Sequence, residues 1–165
     1  MSTTSVTTGV EHVDVLIVGA GISGIGQAYY LQTQQPGKTF AILEARGATG
    51  GTWDLFRYPG IRSDSDLHTF SYEFKPWEND KAIAGAPAIL DYLRETAAEN
   101  RIDDKIRLHH KVLSAAWSTD DARWLIEIER ADTGERLTMS CGWLYCAGGY
   151  YRYDQGFTPE FKGRD

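Results

Sequence analysis

Val13-Asp14-Val15-Leu16-Ile17-Val18-Gly19-Ala20-Gly21-Ile22-Ser23-Gly24 is the stretch that decides the fold. The residues before Gly19 form a short apolar run, the pattern of a strand buried on both faces. From Ile22 to Gln34 apolar residues recur at Ile22, Ile25, Tyr29 and Leu31, and Pro36-Gly37 ends the helix this spacing predicts. Thr39 to Leu43 is a second strand of the buried type. Strand, helix and strand in about thirty residues make a βαβ unit with parallel strands. The fold class is therefore α/β, with a Rossmann-like unit at its start.

The glycines sit where a dinucleotide needs them. Gly19 permits the tight turn, Gly21 lets a pyrophosphate approach the backbone, and Gly24 lets the helix lie close on the sheet. The N–H groups of the first helical turn, at Ile22 and Ser23, carry the positive end of the helix dipole. Glu44 ends the second strand, at the position where an acid accepts from ribose hydroxyls. A glycine-rich turn without a ligand is the bland alternative, but strand, helix, second strand and acid all fall in register. A nucleoside-triphosphate loop is excluded because Ile25, not Lys, follows Gly24. Gly37-Lys38-Thr39 does not restore one, since Gln32 stands where glycine is required. Ser23 lacks the following glycine of a hydrolase elbow.

Composition narrows the partners. The 165 residues suffice for one domain with a sizeable core, and 42% are apolar. Acidic residues outnumber basic ones 23 to 17, a net charge of −6, which argues against nucleic acid and anionic membranes as partners. No apolar run approaches the roughly 18 residues of a membrane span. The Ser/Thr-rich start lacks the basic and apolar regions of a secretory signal. Cys141 and Cys146 fit neither a disulfide framework nor a cysteine zinc site, so a reducing, cytoplasmic location is expected. Residues 1–10 read as a disordered tail and 11–165 as the folded domain.

Residues 45–78 do not read as regular structure. They carry glycines at 47, 50, 51 and 60 and a succession of aromatics, which marks a functional loop rather than a disordered one. Pro87 to Asn100 is an amphipathic helix with Ile89, Leu90, Leu93 and Ala97 on one face. Residues 106–109 and 112–117 are candidate strands, 123–129 alternates with period two, and 136–139 returns after a turn at Asp132-Thr133-Gly134. Three strands with tight turns suggest an antiparallel meander, and Cys141 to Cys146 reads as a further apolar strand running into Ala147-Gly148. Glu44 suits FAD or NAD and should repel a 2′-phosphate; Arg46 is the one feature that favours NADP. Because the chain continues into a loop, a helix and a meander rather than more βαβ units, FAD is the cofactor expected.

Gly50-Gly51-Thr52-Trp53, Arg57-Tyr58-Pro59-Gly60, Arg62, Asp64, Asp66 and Phe74-Lys75-Pro76-Trp77 together closely resemble the class B flavoprotein monooxygenases. Within that family the likeness is greatest to the Baeyer–Villiger branch, in the group of the bacterial ethionamide-activating enzymes, and it covers residues 12–165. The resemblance implies a two-dinucleotide-binding-domain flavoprotein that uses FAD, NADPH and O₂. It implies insertion of one oxygen atom into a ketone, sulfide or amine through a flavin peroxide. It places FAD on Gly19, Gly21, Gly24 and Glu44, with Gly51, Thr52 and Trp53 along the flavin side. Asp64 corresponds to the active-site aspartate, with Tyr58 close by. The backbone near Val112 meets adenine, and Cys146-Ala147-Gly148 stands for the family's strand-end Ala-Thr-Gly.

The family's Phe-x-Gly signature ending in His and Trp-Pro is absent: Phe161-Lys162-Gly163 resembles its opening, but no histidine follows His110. A second glycine loop for NADPH is also absent. The expectation is an N-terminal FAD-binding segment that lacks the NADPH domain, does not oxygenate with NADPH by itself, and self-associates through an open face near Trp143 and Tyr150–Tyr153. Asp64, Asp66 and His68 read as loop residues rather than a metal site, with Asp66 structural. His109 and His110 read as surface and half-buried residues at a strand edge, facing opposite ways, and Trp117, Trp124 and Trp143 as packing residues. A non-catalytic FAD module and an NAD(P)-binding oxidoreductase domain are the rival readings.

Overall fold

The computed structural model describes residues 10–151 and 154–164. Most of the expected tail, and Arg152 and Tyr153 of the aromatic cluster, lie outside the described residues.

The opening unit forms as its pattern requires. Strand β1 (Glu11–Val18) leads into helix α1 (Ile22–Gln34) and strand β2 (Phe40–Leu43), and β1 and β2 pair in parallel from Val15–Phe40 to Val18–Leu43. Asp14, the polar residue in the apolar run, locks the two strands. Its carboxylate accepts from the backbone N–H and hydroxyl of Thr39, each at 2.8 Å. These bonds, with Lys38 adding to them, hold the Asp14 carboxyl well below the usual carboxylate range.

Helix α4 (Ala86–Glu99) carries proline in its first turn and buries Ile89, Tyr92, Leu93, Thr96 and Ala97. The strand after it stands outside the three-stranded meander. Strand β3 (Ile106–Arg107) pairs in parallel with β2, so residues 106–107 extend the parallel sheet at its edge. Only β4 (His110–Ser118), β5 (Arg123–Arg130) and β6 (Arg136–Cys146) form the antiparallel meander. The separate strands expected at 136–139 and 141–146 are one. Strand β6 pairs with β5 up to Cys141 and with β1, in parallel, from Met139 to Cys146. Ser140, where the apolar pattern breaks, is buried and its hydroxyl lies 2.9 Å from His12 Nδ1, so the break is a satisfied polar residue rather than a turn. The sheet order is β3-β2-β1-β6-β5-β4.

Because side chains alternate along a strand, β1 and β2 feed two cores. Val15, Ile17 and Ile42 meet Ile25, Ala28 and Leu31 of α1 and Ile89 and Leu93 of α4. Leu16, Ala41 and Leu43 face the other way, onto Ile126 and Ile128 of β5 and Met139 of β6. Each fully buried Leu or Ile contributes about 1.5–3 kcal/mol.

Residues 45–78 contain two short helices, α2 (Thr52–Leu55) and α3 (Leu67–Phe70). Asp66 caps α3, accepting from Thr69 N at 2.9 Å, which is the structural role expected of it. The aromatics that follow are packing. Tyr29 and Phe74 stack at 3.5 Å, and Tyr72 lies against Gly26, where a Cβ would come within 2.8 Å of its ring. The Tyr72 hydroxyl donates to Ile22 O, and Tyr92 donates to Lys75 O. Burial pushes the Tyr72 and Tyr92 hydroxyls up.

The tryptophans of the β segments pack less than expected. Trp124 packs on the second core and meets Trp117 edge-on, but Trp117 is exposed and Trp143 is 66% exposed. The expected opposition of His109 and His110 at a strand edge is also altered. His109 has φ +60, a turn conformation, and His110 opens β4.

Candidate functional site

A cleft of about 460 Å³ opens at the C-terminal ends of β1, β2 and β6. β2 lies on one side of β1 and β6 on the other, so this is the switch point of the parallel sheet, where open α/β sheets bind ligands.

Three glycines build its floor for different reasons. Gly19 has φ +104, and a Cβ there would lie 2.5 Å from Ala147 O. A Cβ on Gly24 would lie 1.9 Å from Gly19 O. Both are required by the protein's own packing. Gly21 is not: its φ is −87°, and a Cβ would only touch Gly51 Cα at 3.6 Å. The missing side chain leaves room in the cleft, directly before the first turn of a 13-residue helix that has no side-chain cap. Gly21, Ile22 and Ser23 line the opening. A backbone cradle with unpaired N–H groups and a positive dipole fits a pyrophosphate.

The opposite wall is the Gly50-Gly51 turn. Gly50 N donates to Ala20 O at 3.0 Å, and Gly51, at φ +53, sets its Cα against Gly21. Thr52 and Trp53 continue this wall, and Cys146, Ala147, Gly148 and Gly149 close the side toward β6.

Glu44 lines the same cleft where β2 ends, 7% exposed. Its Oε2 accepts from Ala20 N and its Oε1 from Arg46 N, both at 2.9 Å. Each oxygen keeps a second lone pair, so the carboxylate is oriented and still able to accept from a ligand hydroxyl. Val112 lines the same end, with His110 and Lys111.

Tyr58 and Asp64 stand apart from this cleft. They line a second, shallower pocket with Gly60, Arg62, Ser63 and Ile83. Tyr151 reaches this region, with its ring 5.8 Å from that of Phe56. The Tyr151 hydroxyl is raised by its hydrogen bond to Tyr150, with Asp64 and Tyr58 adding smaller contributions.

Two cleft features escaped the sequence. Lys111 and His110 bring positive and titratable groups to its rim; β4 lies at the sheet's far edge, and no local pattern announces its approach to Glu44 (His110 N donates to Glu44 O at 2.8 Å). Asp54, 3% exposed, anchors an ion cluster. Arg46 pairs with its Oδ2, Arg94 of α4 donates to its Oδ1 at 3.0 Å, and Arg57 lies 3.6 Å from Oδ1. The arginines at 46 and 57 flank Asp54 in sequence, which is a weak signal; Arg94 reaches it only through the fold.

Residues 17–79 match the model of an NAD(P)-binding Rossmann-like domain. Over 155 residues, 94% of this chain, the sequence is 53% identical to the FAD-containing monooxygenase EthA of Mycobacterium tuberculosis strain H37Rv and 54% identical to EthA of Mycolicibacterium smegmatis. The chain is a homologue of the class B flavoprotein monooxygenases.

It spans about a third, 31%, of the length of those two relatives. The family likeness extends to structure. An oxidized steroid monooxygenase bound to NADP superposes with a TM-score of 0.77 at 32% identity, covering 93% of this chain and 29% of that one. The mixed sheet with its Rossmann-like unit thus matches the fold of these flavin monooxygenases.

No helix of the described residues is long and apolar enough to cross a membrane, and among them no group of three or more His, Cys, Asp or Glu is placed to hold a metal ion.

Proposed function

We propose that residues 11–165 form the FAD-binding part of an FAD- and NADPH-dependent monooxygenase that inserts one oxygen atom of O₂ into a ketone, sulfide or amine. The observation that carries this reading is Gly21. Nothing in the protein forbids a side chain there, and the space kept free lies at an uncapped helix N-terminus in a cleft that Glu44 also lines.

In this reading Gly19, Gly21 and Gly24 shape the cradle, and the N–H groups of Ile22 and Ser23 hold the pyrophosphate of FAD. Glu44 accepts from the ribose, the Val112 backbone borders adenine, and Ala147 and Gly148 flank the pyrophosphate. Gly51, Thr52 and Trp53 run toward the flavin, and Tyr58 and Asp64 stand at the flavin end, with Asp64 the catalytic residue. Bound FAD supplies the redox chemistry that takes electrons from NADPH and activates O₂. Asp64 contributes fixed negative charge at that end, which orients cationic and hydrogen-bonding groups.

The same proposal places the protein in the cytoplasm, where its free thiols at Cys141 and Cys146 stay reduced. It also includes self-association. The support is the exposure of Trp143 (66%), Tyr150 (88%) and Tyr151 (50%).

A second reading is an FAD-binding module without turnover of its own. Visible absorbance of the purified chain tests both. Flavin bands near one per chain support FAD binding, and a colourless protein that takes up no added FAD overturns it. Saturable NADPH oxidation with a ketone or sulfide, assayed on a longer protein that carries residues 11–165, distinguishes the monooxygenase from the inert module. Size-exclusion chromatography of the purified chain reads self-association, and a monodisperse monomer removes that element.

A further inference from the structure

Arg46 occupies an ambiguous place. It lines the cleft two residues beyond Glu44, and its backbone N–H holds the Glu44 carboxylate at 2.9 Å. A free guanidinium there attracts a ribose 2′-phosphate, whereas Glu44 repels one. Sequence alone leaves these two tendencies opposed.

The fold resolves them through Asp54. This carboxylate is 3% exposed and receives the Arg46 guanidinium on one oxygen and Arg94 on the other. The second Arg46 nitrogen donates to Gly51 O at 3.3 Å. Arg46 thus spends its charge on Asp54 and its remaining reach on the cleft wall. Asp54 in turn is fixed by its backbone N–H on Gly51 O at 3.2 Å and by Arg94 from α4.

We infer that Asp54 is a specificity-determining positioning residue: by holding Arg46 against the Gly50-Gly51 wall it leaves Glu44 as the charge that the ligand's ribose meets, so the cleft accepts a free 2′-hydroxyl and rejects a 2′-phosphate. The inference rests on the dinucleotide reading of the cleft and adds to it the device that sets its selectivity. Asp54 acts through Arg46 and does not itself line the cleft.

The test compares ADP-ribose with its 2′-phosphate by calorimetry on the full 165-residue chain, with FAD as a parallel ligand. Wild type binds ADP-ribose at least about tenfold more tightly than the 2′-phosphate. Asp54→Asn narrows that ratio by about tenfold, because the released guanidinium reaches the ribose end of the cleft. In the double variant Asp54→Asn/Arg46→Gln the wild-type ratio returns. Arg94→Gln, which loosens Asp54 but leaves it paired with Arg46, narrows the ratio by less than Asp54→Asn does. A purely structural role moves affinity for both ligands together and leaves their ratio fixed in every variant, and that result overturns the inference. If Asp54→Asn fails to fold, Arg46→Lys decides in its place. Lysine makes one contact where arginine makes two, so its charge is held less firmly and the ratio narrows; an unchanged ratio in Arg46→Lys overturns the inference. If wild type binds neither FAD nor ADP-ribose, the dinucleotide reading fails and this inference with it; if FAD binds and the ratios do not move, only the inference fails.

Discussion

Residues 11–43 and residues 45–77 bring glycines to the two walls of one cleft, but different forces hold them there. In the first region the backbone does the work. β1 and β2 share a parallel ladder, Gly19 N donates to Leu43 O at 2.8 Å, and Gly24 lets α1 come within bonding distance of the turn. In the second region side chains do it. Asp54 gathers arginines from positions 46, 57 and 94, Tyr72 ties the segment to α1, and the Tyr92 hydroxyl accepts from Tyr72 N and donates to Lys75 O. Where backbone packs on backbone, at Gly19 and Gly24, no added atom is tolerated. A wall held by side chains loses one partner at a time.

The largest effect should come from Gly24→Val in the first region. Its Cβ would sit 1.9 Å from Gly19 O, so the helix must move off the sheet. Chemical denaturation should show a loss of about 3 kcal/mol or more, beyond ordinary overpacking. Near wild-type stability would mean that the turn is softer than its contacts imply.

Gly21→Asp separates packing from ligand within the same six residues. At φ −87° and with 3.6 Å of clearance to Gly51, the variant should melt within a few degrees of wild type. FAD uptake should be abolished, since the carboxylate fills the cradle with like charge. Normal flavin content in the folded variant would contradict the assignment of that space.

Glu44 joins the two regions, bonding Ala20 on one side and Arg46 on the other. Glu44→Leu leaves the backbone N–H groups of Ala20 and Arg46 without their acceptor, which lowers stability. It also leaves a ligand hydroxyl unpaired in the complex, at about 1–3 kcal/mol, so affinity for FAD should fall strongly. Glu44→Gln keeps an acceptor and should weaken binding modestly. Calorimetric titration checks the order; equal affinity for Glu44→Leu and wild type would remove Glu44 from the site.

Tyr72→Phe is the smallest change and belongs to the side-chain-held region. It deletes the donation to Ile22 O and keeps the ring against Gly26. Stability should fall by about 0.5–1.5 kcal/mol with FAD affinity nearly intact. A large loss of affinity instead would show that this aromatic packing sets the position of the α1 N-terminus and not merely its stability.

Much of this was open to reading from residues alone. The apolar run, the glycine spacing and the terminal acid specify the first βαβ unit because each is a local signal: period, turn conformation and capping depend on near neighbours in sequence. Thus α1 begins at Ile22 and ends at Gln34 where the pattern put it, and Glu44 faces the cleft. The local pattern also favoured a dinucleotide and, with the motifs at 50–66, this monooxygenase family. Other features needed the tertiary structure. Whether Ile106–Arg107 joins the meander or the parallel sheet depends on which edge is free, and β2 offers one. Whether Ser140 breaks a strand depends on His12, which is 128 residues away. Whether Arg46 serves a phosphate or a carboxylate depends on Asp54 and, through it, on Arg94 of α4. Sequence fixes what each residue prefers among its near neighbours; contacts between distant segments form only once the chain has closed on itself, and they decide which preference prevails.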